Sequence, residues 1–353
     1  MSNASSSLSA IITQQTQSSS YQNAIAFCVD NKYLPYALFV AQQLLHLNEN
    51  AYDICVCVPD LTQIPAVFLQ KNIRFVEMQV LGLDNLPVGK LSLAAYNRLF
   101  LPQLFANDYQ YIIYLDADTF INRAFYHDMM QVIAGFNTDF CIAAAPDIVE
   151  IMRVIEPNTK TFRSKLPYLN YYQEREHTYR NSGILVFNIN NCLNANISNK
   201  ILNYAFNNIK ELRHHDQSAL NKSLLGDLAL LPFTYNWQLH KLVYHITQEV
   251  NPYIIHFIGE NKPWSLDNKY TKPYIKYYHE FLTEFFPSIA SYPVTKDKQR
   301  EQSPKYANPI KEAISVFGQN IKSTFKPLDE NSVATSEQVN QTRNILQKPP
   351  FSS

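Results

Sequence analysis

Between Ala24 and Val58 an apolar run, a stretch with helical periodicity and a second apolar run follow one another: AIAFCV, YLPYALFVAQQLLHLN, then YDICVCV. Such a strand, helix, strand alternation makes its two strands parallel partners, because a crossover helix returns the chain to the same end of the sheet. IRFVEMQV, YIIYLDAD, FCIAAAP and GILVFNI supply further strand candidates, and LSLAAYNRLFLPQLF and NKILNYAFNNIKEL have helical spacing. The predicted class is therefore α/β, with a mostly parallel central sheet flanked by helices. The 353 residues, 46% of them hydrophobic, hold material for one large core or two modest ones.

Three segments are expected. Residues 1–22 are rich in Ser and Gln and poor in large apolar groups, so they read as a flexible tail, and residues 23–290 as the folded domain. Residues 291–353 turn polar and read as a second tail, poorly ordered or partner-binding, in which IKEAISVFGQNIKSTF is an amphipathic piece able to meet a partner or a membrane surface. Thirty basic residues balance thirty acidic ones, so no global field draws the chain to nucleic acid or to an anionic bilayer. The five cysteines are odd in number and lack CxxC spacing, which suits core thiols in a reducing compartment. With no apolar run of the roughly 18 to 20 residues a bilayer crossing needs, and no basic region leading into an apolar one at the N-terminus, the expected location is cytoplasmic. Membrane contact would be peripheral at most, at the inner face of the cytoplasmic membrane.

The stretch YIIYLDADTF runs an apolar strand into Asp116 and Asp118. If the strand continues through them, their side chains share one face at its carboxyl end. Two carboxylates about 5 Å apart repel by on the order of 3 kcal/mol at an effective dielectric near 20, and burial adds to the cost. A bound cation, a shared proton or paired basic side chains would relieve the pair, and the segment itself offers only Arg123. Oxygen ligands suit Mg²⁺ or Mn²⁺, and the carboxyl ends of strands in open α/β sheets are where ligands bind. A blander reading has Asp118 capping the following turn and Asp116 exposed.

Two families place a DxD after an apolar strand. IIYLDADT satisfies the hhhhDxDxT pattern of haloacid dehalogenase-like phosphatases, in which an Asp is the nucleophile. Their later acidic metal motif has one candidate here, GDLALL at Gly226, which lacks the second Asp, and about 90 residues of α/β pattern precede the DxD where that family usually opens with it.

FCVDNKYLPYAL, LAAYNRLFLPQLF, LDAD, NSGILVFNI from Asn181, HHDQSALN around Asp216 and Gln217, and HFIGENKPW from His256 follow one another along the chain in the order of the second family's sites. Over roughly residues 23–265 the chain resembles the retaining glycosyltransferases of family 8, which include glycogenins and bacterial lipooligosaccharide galactosyltransferases. The resemblance implies a GT-A type nucleotide-sugar-binding fold and an enzyme that moves a hexose from UDP-glucose or UDP-galactose to a saccharide or glycolipid acceptor, such as lipopolysaccharide core. By the same resemblance Asp116, Asp118 and His256 hold Mn²⁺ (or Mg²⁺), and Tyr33 stacks on uracil with Asp30 near the base or ribose. Arg98, Ala117, Asn181, Gly259 and Lys262 serve the donor, and Asp216 and Gln217 stand at the reacting sugar. A carboxylate pair with an imidazole favours Mn²⁺ over Mg²⁺, Gly259 permits close backbone approach, and Lys262 offers a point charge to phosphate.

Each assignment has a plain counterpart. A His after the strand-like YII can be a packed or capping residue, and HDQSAL also reads as the first turn of a helix. His214 and His215 fit a solvated helix start better than a second metal site. Ser218 replaces a second acid of bacterial relatives and Lys32 a smaller polar residue, so sugar and base contacts do not transfer. The tyrosine cluster YLNYYQEREHTY at 168–179 suits an acceptor-side lid or surface packing, with self-glucosylation of the glycogenin kind as an alternative. Retention without an evident carboxylate nucleophile suggests a front-face displacement with Gln217 or a donor oxygen near C1. A non-catalytic nucleotide-sugar or glycan binder is the third functional reading.

Overall fold

The structure, a computed structural model, describes residues 9–81, 94–155, 178–208, 212, 214–225 and 227–295. The stretch IKEAISVFGQNIKSTF, Gly226 and most of the tyrosine cluster lie outside these residues. The strands are β1 (Ser9–Gln15), β2 (Asn23–Cys28), β3 (Asp53–Val58), β4 (Arg74–Leu81), β5 (Tyr111–Leu115), β6 (Thr119–Ile121), β7 (Ile142–Pro146), β8 (Arg180–Asn188), β9 (Ala229–Leu230), β10 (Trp237–Gln238), β11 (Ile254–His256), β12 (Leu266–Asp267) and β13 (Val294–Thr295). Eight of them form the central sheet in the order β1-β4-β3-β2-β5-β8-β7-β9. Strands β4, β3, β2 and β5 run parallel, β7 and β9 share their direction, and β1 and β8 oppose it.

The expected strands read as unbroken apolar runs because both faces of the sheet are covered. Along β2, Ile25 and Phe27 face one core while Ala24, Ala26 and Cys28 face the other; in β5, Ile113 and Leu115 oppose Ile112 and Tyr114 in the same way. Helices Leu34–Leu47, Tyr126–Ala134 and Lys272–Phe285 cover the first face. Helices Ile197–Asn207 and His215–Ser223 cover the second. Leu34–Leu47 starts where Pro35 presets the backbone and stops at Asn48 in left-handed conformation, φ 51°. All five cysteines are free thiols. No helix among the described residues is long and apolar enough to cross a membrane.

Three expectations need correction. Ser9–Gln15, placed in a flexible tail, is an edge strand antiparallel to β4. Its backbone pairs with β4, Ala10 and Ile12 pack on the second core, and its outer residues face solvent, so an edge strand stands on ladder hydrogen bonds with little apolar content. LSLAAYNRLFLPQLF, taken as one helix, is broken from Ala94 onward into single turns, Ala94–Asn97, Arg98–Phe100 and Leu101–Leu104, the last with Pro102 in its first turn. YIIYLDAD is not all strand: β5 ends at Leu115, and Asp116 to Asp118 form the turn into β6.

That turn positions the site. Strand β6 leaves the main sheet to join β10 and β11 in a three-stranded sheet, where His256 pairs with Thr119 on one side and Gln238 on the other. The turn is pinned at both ends, since Asp116 N–H donates to the Gly183 carbonyl at 2.8 Å and Phe257 N–H to the Asp118 carbonyl at 2.9 Å. From beneath, the Tyr278 hydroxyl of helix Lys272–Phe285 donates to the Thr119 carbonyl at 2.8 Å.

Candidate active site

A cavity of about 550 Å³ opens where the carboxyl ends of β5 and β7 meet the start of β8 and the end of β11. Asp116, Asp118, Arg98, Asn181, Asp216, Gln217, His256 and Gly259, gathered from separate motifs, all line it.

The two aspartates use their oxygens differently. Asp116 Oδ1 receives the Arg98 guanidinium at 2.9 Å and the Tyr114 hydroxyl at 2.5 Å, leaving Oδ2 facing His256 Nε2 at 3.9 Å. Asp118 Oδ2 takes the Lys262 ammonium, while Oδ1 is buried, accepts no hydrogen bond and lies 3.3 Å from the same Nε2. Each carboxylate thus pairs one oxygen with a cation and turns the other toward one imidazole nitrogen. Among the described residues, Asp116, Asp118 and His256 form the one group of His, Cys, Asp and Glu able to hold a metal, their ligand atoms all within 4.8 Å of one another. A buried carboxylate oxygen without a partner is costly, and a divalent cation is the group that fits it. Two oxygens and a nitrogen at one point suit a divalent cation rather than a thiolate-seeking metal.

The electrostatics follow from burial. Burial would raise the Asp118 carboxyl, but Lys262 and His256 beside it hold it well below the usual carboxylate range. Burial would lower the Arg98 guanidinium, and Asp116, Tyr114 and Asp216 around it more than reverse this. Asp216, fully enclosed at the start of helix His215–Ser223, is pushed up by burial against the pull of Arg98 Nε at 3.6 Å. The relief of the aspartate pair was not legible near it in sequence: Arg123 donates to the Asn251 carbonyl and stacks on Tyr253, while Arg98 and Lys262 arrive from distant segments.

Gln217 Oε1 accepts from Asn181 Nδ2 at 3.1 Å and Ser182 N–H at 3.0 Å, and its Nε2 donates to Asp147 Oδ2 at 3.1 Å. Gly259 sits at φ +66° with open space around its Cα, so glycine is there for a left-handed backbone beside the cavity. Lys262, expected at phosphate, is held here on Asp118 and the Phe257 carbonyl. Asp30 and Tyr33 begin helix Leu34–Leu47, the Asp30 carboxylate capping Tyr33 N–H at 3.0 Å. They lie outside the cavity lining but near it, since burial and then the Asp118 charge raise the Tyr33 hydroxyl. The Ala117 side chain packs into the core. Trp264 stacks on Tyr36 with ring centroids 3.9 Å apart, tying the loop after β11 to that helix.

His214 and His215, expected on a solvated helix start, are half-buried in the cavity wall, with His215 in left-handed backbone at φ 41°. Four site residues were missed. Asp147 follows β7 as Asp116 follows β5, so an acid after FCIAAAP was a readable sign. Gln238 pairs with His256 in the small sheet, and Asn236 accepts from or donates to its Nδ1 at 2.9 Å. Gly183 is the least obvious: a Cβ there would run into His256 Cε1 and lie 2.8 Å from Nδ1. No local sequence pattern carries that requirement.

A large sheet with helices on both faces, an acidic turn at a strand end and a histidine brought beside it from a second small sheet make up a GT-A type fold, shared with solved glycosyltransferases. The profile of glycosyl transferase family 8 matches residues 24–268, and the chain belongs to that family. It is 27% identical to the lipopolysaccharide 1,2-glucosyltransferase of Escherichia coli K12 over 278 residues, 72% of this chain and 75% of that one. It is 26% identical to general stress protein A of Bacillus subtilis over 236 residues, 62% and 73% of the two chains. Glycogenin-1 of Saccharomyces cerevisiae is 27% identical over 37% of this chain and 25% of its own. The galactosyltransferase LgtC, solved with donor and acceptor sugar analogs, superposes with a TM-score of 0.58 at 16% identity, covering 81% of this chain and 99% of its own, a likeness of fold. Family membership sets the phosphohydrolase reading aside.

Proposed function

We propose that the chain is a metal-dependent, retaining hexosyltransferase that moves glucose or galactose from its UDP-sugar to a saccharide or glycolipid acceptor, with lipopolysaccharide core as a candidate at the inner face of the cytoplasmic membrane. The observation that carries this reading is the pair of spare oxygens, Asp116 Oδ2 and Asp118 Oδ1, facing His256 Nε2 at 3.9 and 3.3 Å. Membership of the family and the lipopolysaccharide glucosyltransferase relative support the substrate class.

In this reading Asp116, Asp118 and His256 would hold Mn²⁺ or Mg²⁺, which supplies Lewis acidity to the leaving diphosphate. Lys262 would then divide its charge between Asp118 and phosphate. Gly259 keeps the loop after β11 open to the cavity, and Asp30 and Tyr33, outside its lining but near it, would receive the nucleoside. On the sugar side Arg98 holds Asp116 and Asp216 in place from behind. Asp147 and Gln217, locked in place by Asn181 between them, present a rigid polar wall to the sugar hydroxyls, because each is already bonded to its neighbour and spends little ordering entropy on binding. Gln217 lacks the charge of a nucleophile, which suits a front-face displacement in which the departing oxygen guides the acceptor to the same face of C1.

Incubation with Mn²⁺, a panel of UDP-sugars and truncated lipopolysaccharide acceptors tests the proposal. Product with the donor's anomeric configuration, abolished by chelator and restored by Mn²⁺, is the expected result. Donor binding without turnover on any acceptor would instead identify a nucleotide-sugar binding protein, and a mass gain on the chain itself would identify self-glycosylation.

A further inference from the structure

His256 can accept a metal through Nε2 only if its proton sits on Nδ1, and the residues behind it decide where that proton goes. The chain of amides can be solved from groups whose roles are fixed. Gly183 N–H donates to Asn181 at 3.0 Å, so the atom it meets is Oδ1 and the other end of that amide is Nδ2. Asn181 Nδ2 then faces Asp147 Oδ2 and Gln217 Oε1, each at 3.1 Å, both acceptors; the Gln217 end is fixed separately by Ser182 N–H at 3.0 Å. Since Asn181 Oδ1 accepts, the Asn236 atom 2.9 Å from it must be the donor Nδ2. Asn236 Oδ1 is left facing His256 Nδ1 at 2.9 Å, and an oxygen there requires a proton on the nitrogen.

Asn236 is fully buried and His256 5% exposed, so water cannot exchange for this bond. The alternative tautomer would set a lone pair against Asn236 Oδ1, and turning the Asn236 amide to answer it would set two oxygens against each other at Asn181, a cost weighed against the contact its Nε2 proton would make with the carboxylates. Two backbone N–H groups of β8, those of Ser182 and Gly183, thereby reach the imidazole through side-chain amides alone. We propose that Asn236 is a positioning residue that holds His256 as the Nδ1–H tautomer with Nε2 aimed between Asp116 and Asp118, and that Asn181 carries this constraint from β8 and joins it to Asp147 and Gln217. Metal end and sugar end of the cavity then share one hydrogen-bonded frame. The inference rests on the metal-dependent reading of the site for its consequence, and on the amide geometry alone for its substance.

The test is ¹⁵N NMR of the metal-free full chain labelled at histidine, with the His256 signals identified by their loss in His256→Gln, followed upward in pH until the His256 ring has lost one proton. The expected result is that Nδ1 keeps its proton when the ring becomes neutral. A neutral ring that has lost the Nδ1 proton and kept the one on Nε2 overturns the proposal without any Asn236 variant having to fold. Asn236→Leu is expected to lose the tautomer preference and to weaken Mn²⁺ binding, followed by the EPR signal of free Mn²⁺, by about 10- to 100-fold. Asn236→Asp, which keeps an oxygen toward Nδ1, is expected to preserve the tautomer. Mn²⁺ affinity unchanged in Asn236→Leu overturns the positioning role. Wild-type chain that shows the Nδ1–H form yet binds no Mn²⁺ would leave the amide frame standing and sink the metal-dependent function.

Discussion

A single hydrogen at position 183 decides whether His256 can stand where it does. Gly183 has no left-handed backbone to justify it; its Cβ position is filled by the imidazole, 2.8 Å from Nδ1. Gly183→Ala is therefore expected to push the ring off the aspartates, lowering turnover and Mn²⁺ affinity at least tenfold, while far-UV circular dichroism stays that of the wild type. An unchanged affinity would mean the ring can move without consequence. Asp216 makes the opposite trade. Its carboxyl is raised by burial despite Arg98, so the folded chain holds that proton more tightly than the unfolded chain does, and the stability this provides is present at low pH and lost as pH rises through the raised value. The side-chain amide of an Asp216→Asn variant does not ionise. The variant should therefore gain in melting temperature relative to wild type as pH goes from about 4 to 7, while losing transferase activity, and differential scanning fluorimetry across that range checks the sign. At this scale the DxD turn, His256, Asp216 and Gln217 were legible because motif spacing survives in the linear chain. Gly183 and Asn236 were not, because their work is steric or relayed through a partner remote in sequence.

The elements divide the same way by physical cause. Strands β2, β3, β5 and β8 announce themselves as apolar runs because helices cover both their faces. Strands β6, β10 and β11, which bring His256 beside the aspartates, have two or three residues each, too few for any period to register. β1 escaped notice for a third reason. One of its faces packs Ala10 and Ile12 while Ile11 is 45% exposed, and Arg74 Nη2 reaches back to Gln15 at 2.6 Å, so its composition is that of a solvated segment. It lies at the far edge of the sheet, separated from β5 by β4, β3 and β2. Removing residues 1–15 would uncover the β4 edge and its unpaired backbone groups. The shortened chain is expected to self-associate and to melt lower, with specific activity of the monomeric fraction unchanged. Light scattering and an assay on that fraction report both outcomes, and activity lost in a stable monomer would show that β1 does more than seal an edge.

For the molecule as a whole, the cavity stores an electrostatic cost that a cation would remove. Asp116, Asp118, Asp147 and Asp216 face the two cations Arg98 and Lys262, and one buried oxygen of Asp118 has no hydrogen bond. Repulsion of this kind is tolerated at functional sites because the rest of the fold over-determines the geometry: the DxD turn is held by β8 on one side, by Phe257 on another, and from below by Tyr278. A ligand that binds only the folded chain stabilises it by RT ln(1 + [L]/Kd), about 2.7 kcal/mol at a hundredfold excess over Kd. Mn²⁺ at that excess should therefore raise the melting temperature by several degrees, with Mg²⁺ giving a smaller shift at equal concentration because the imidazole ligand suits it less. In Asp118→Asn the shift should vanish, and at neutral pH the metal-free variant should melt lower than metal-free wild type, since Lys262 and His256 favour the carboxylate that the amide replaces. A wild-type chain indifferent to Mn²⁺, or an Asp118→Asn variant that keeps the full shift, would place the stabilising ion somewhere other than between these three side chains.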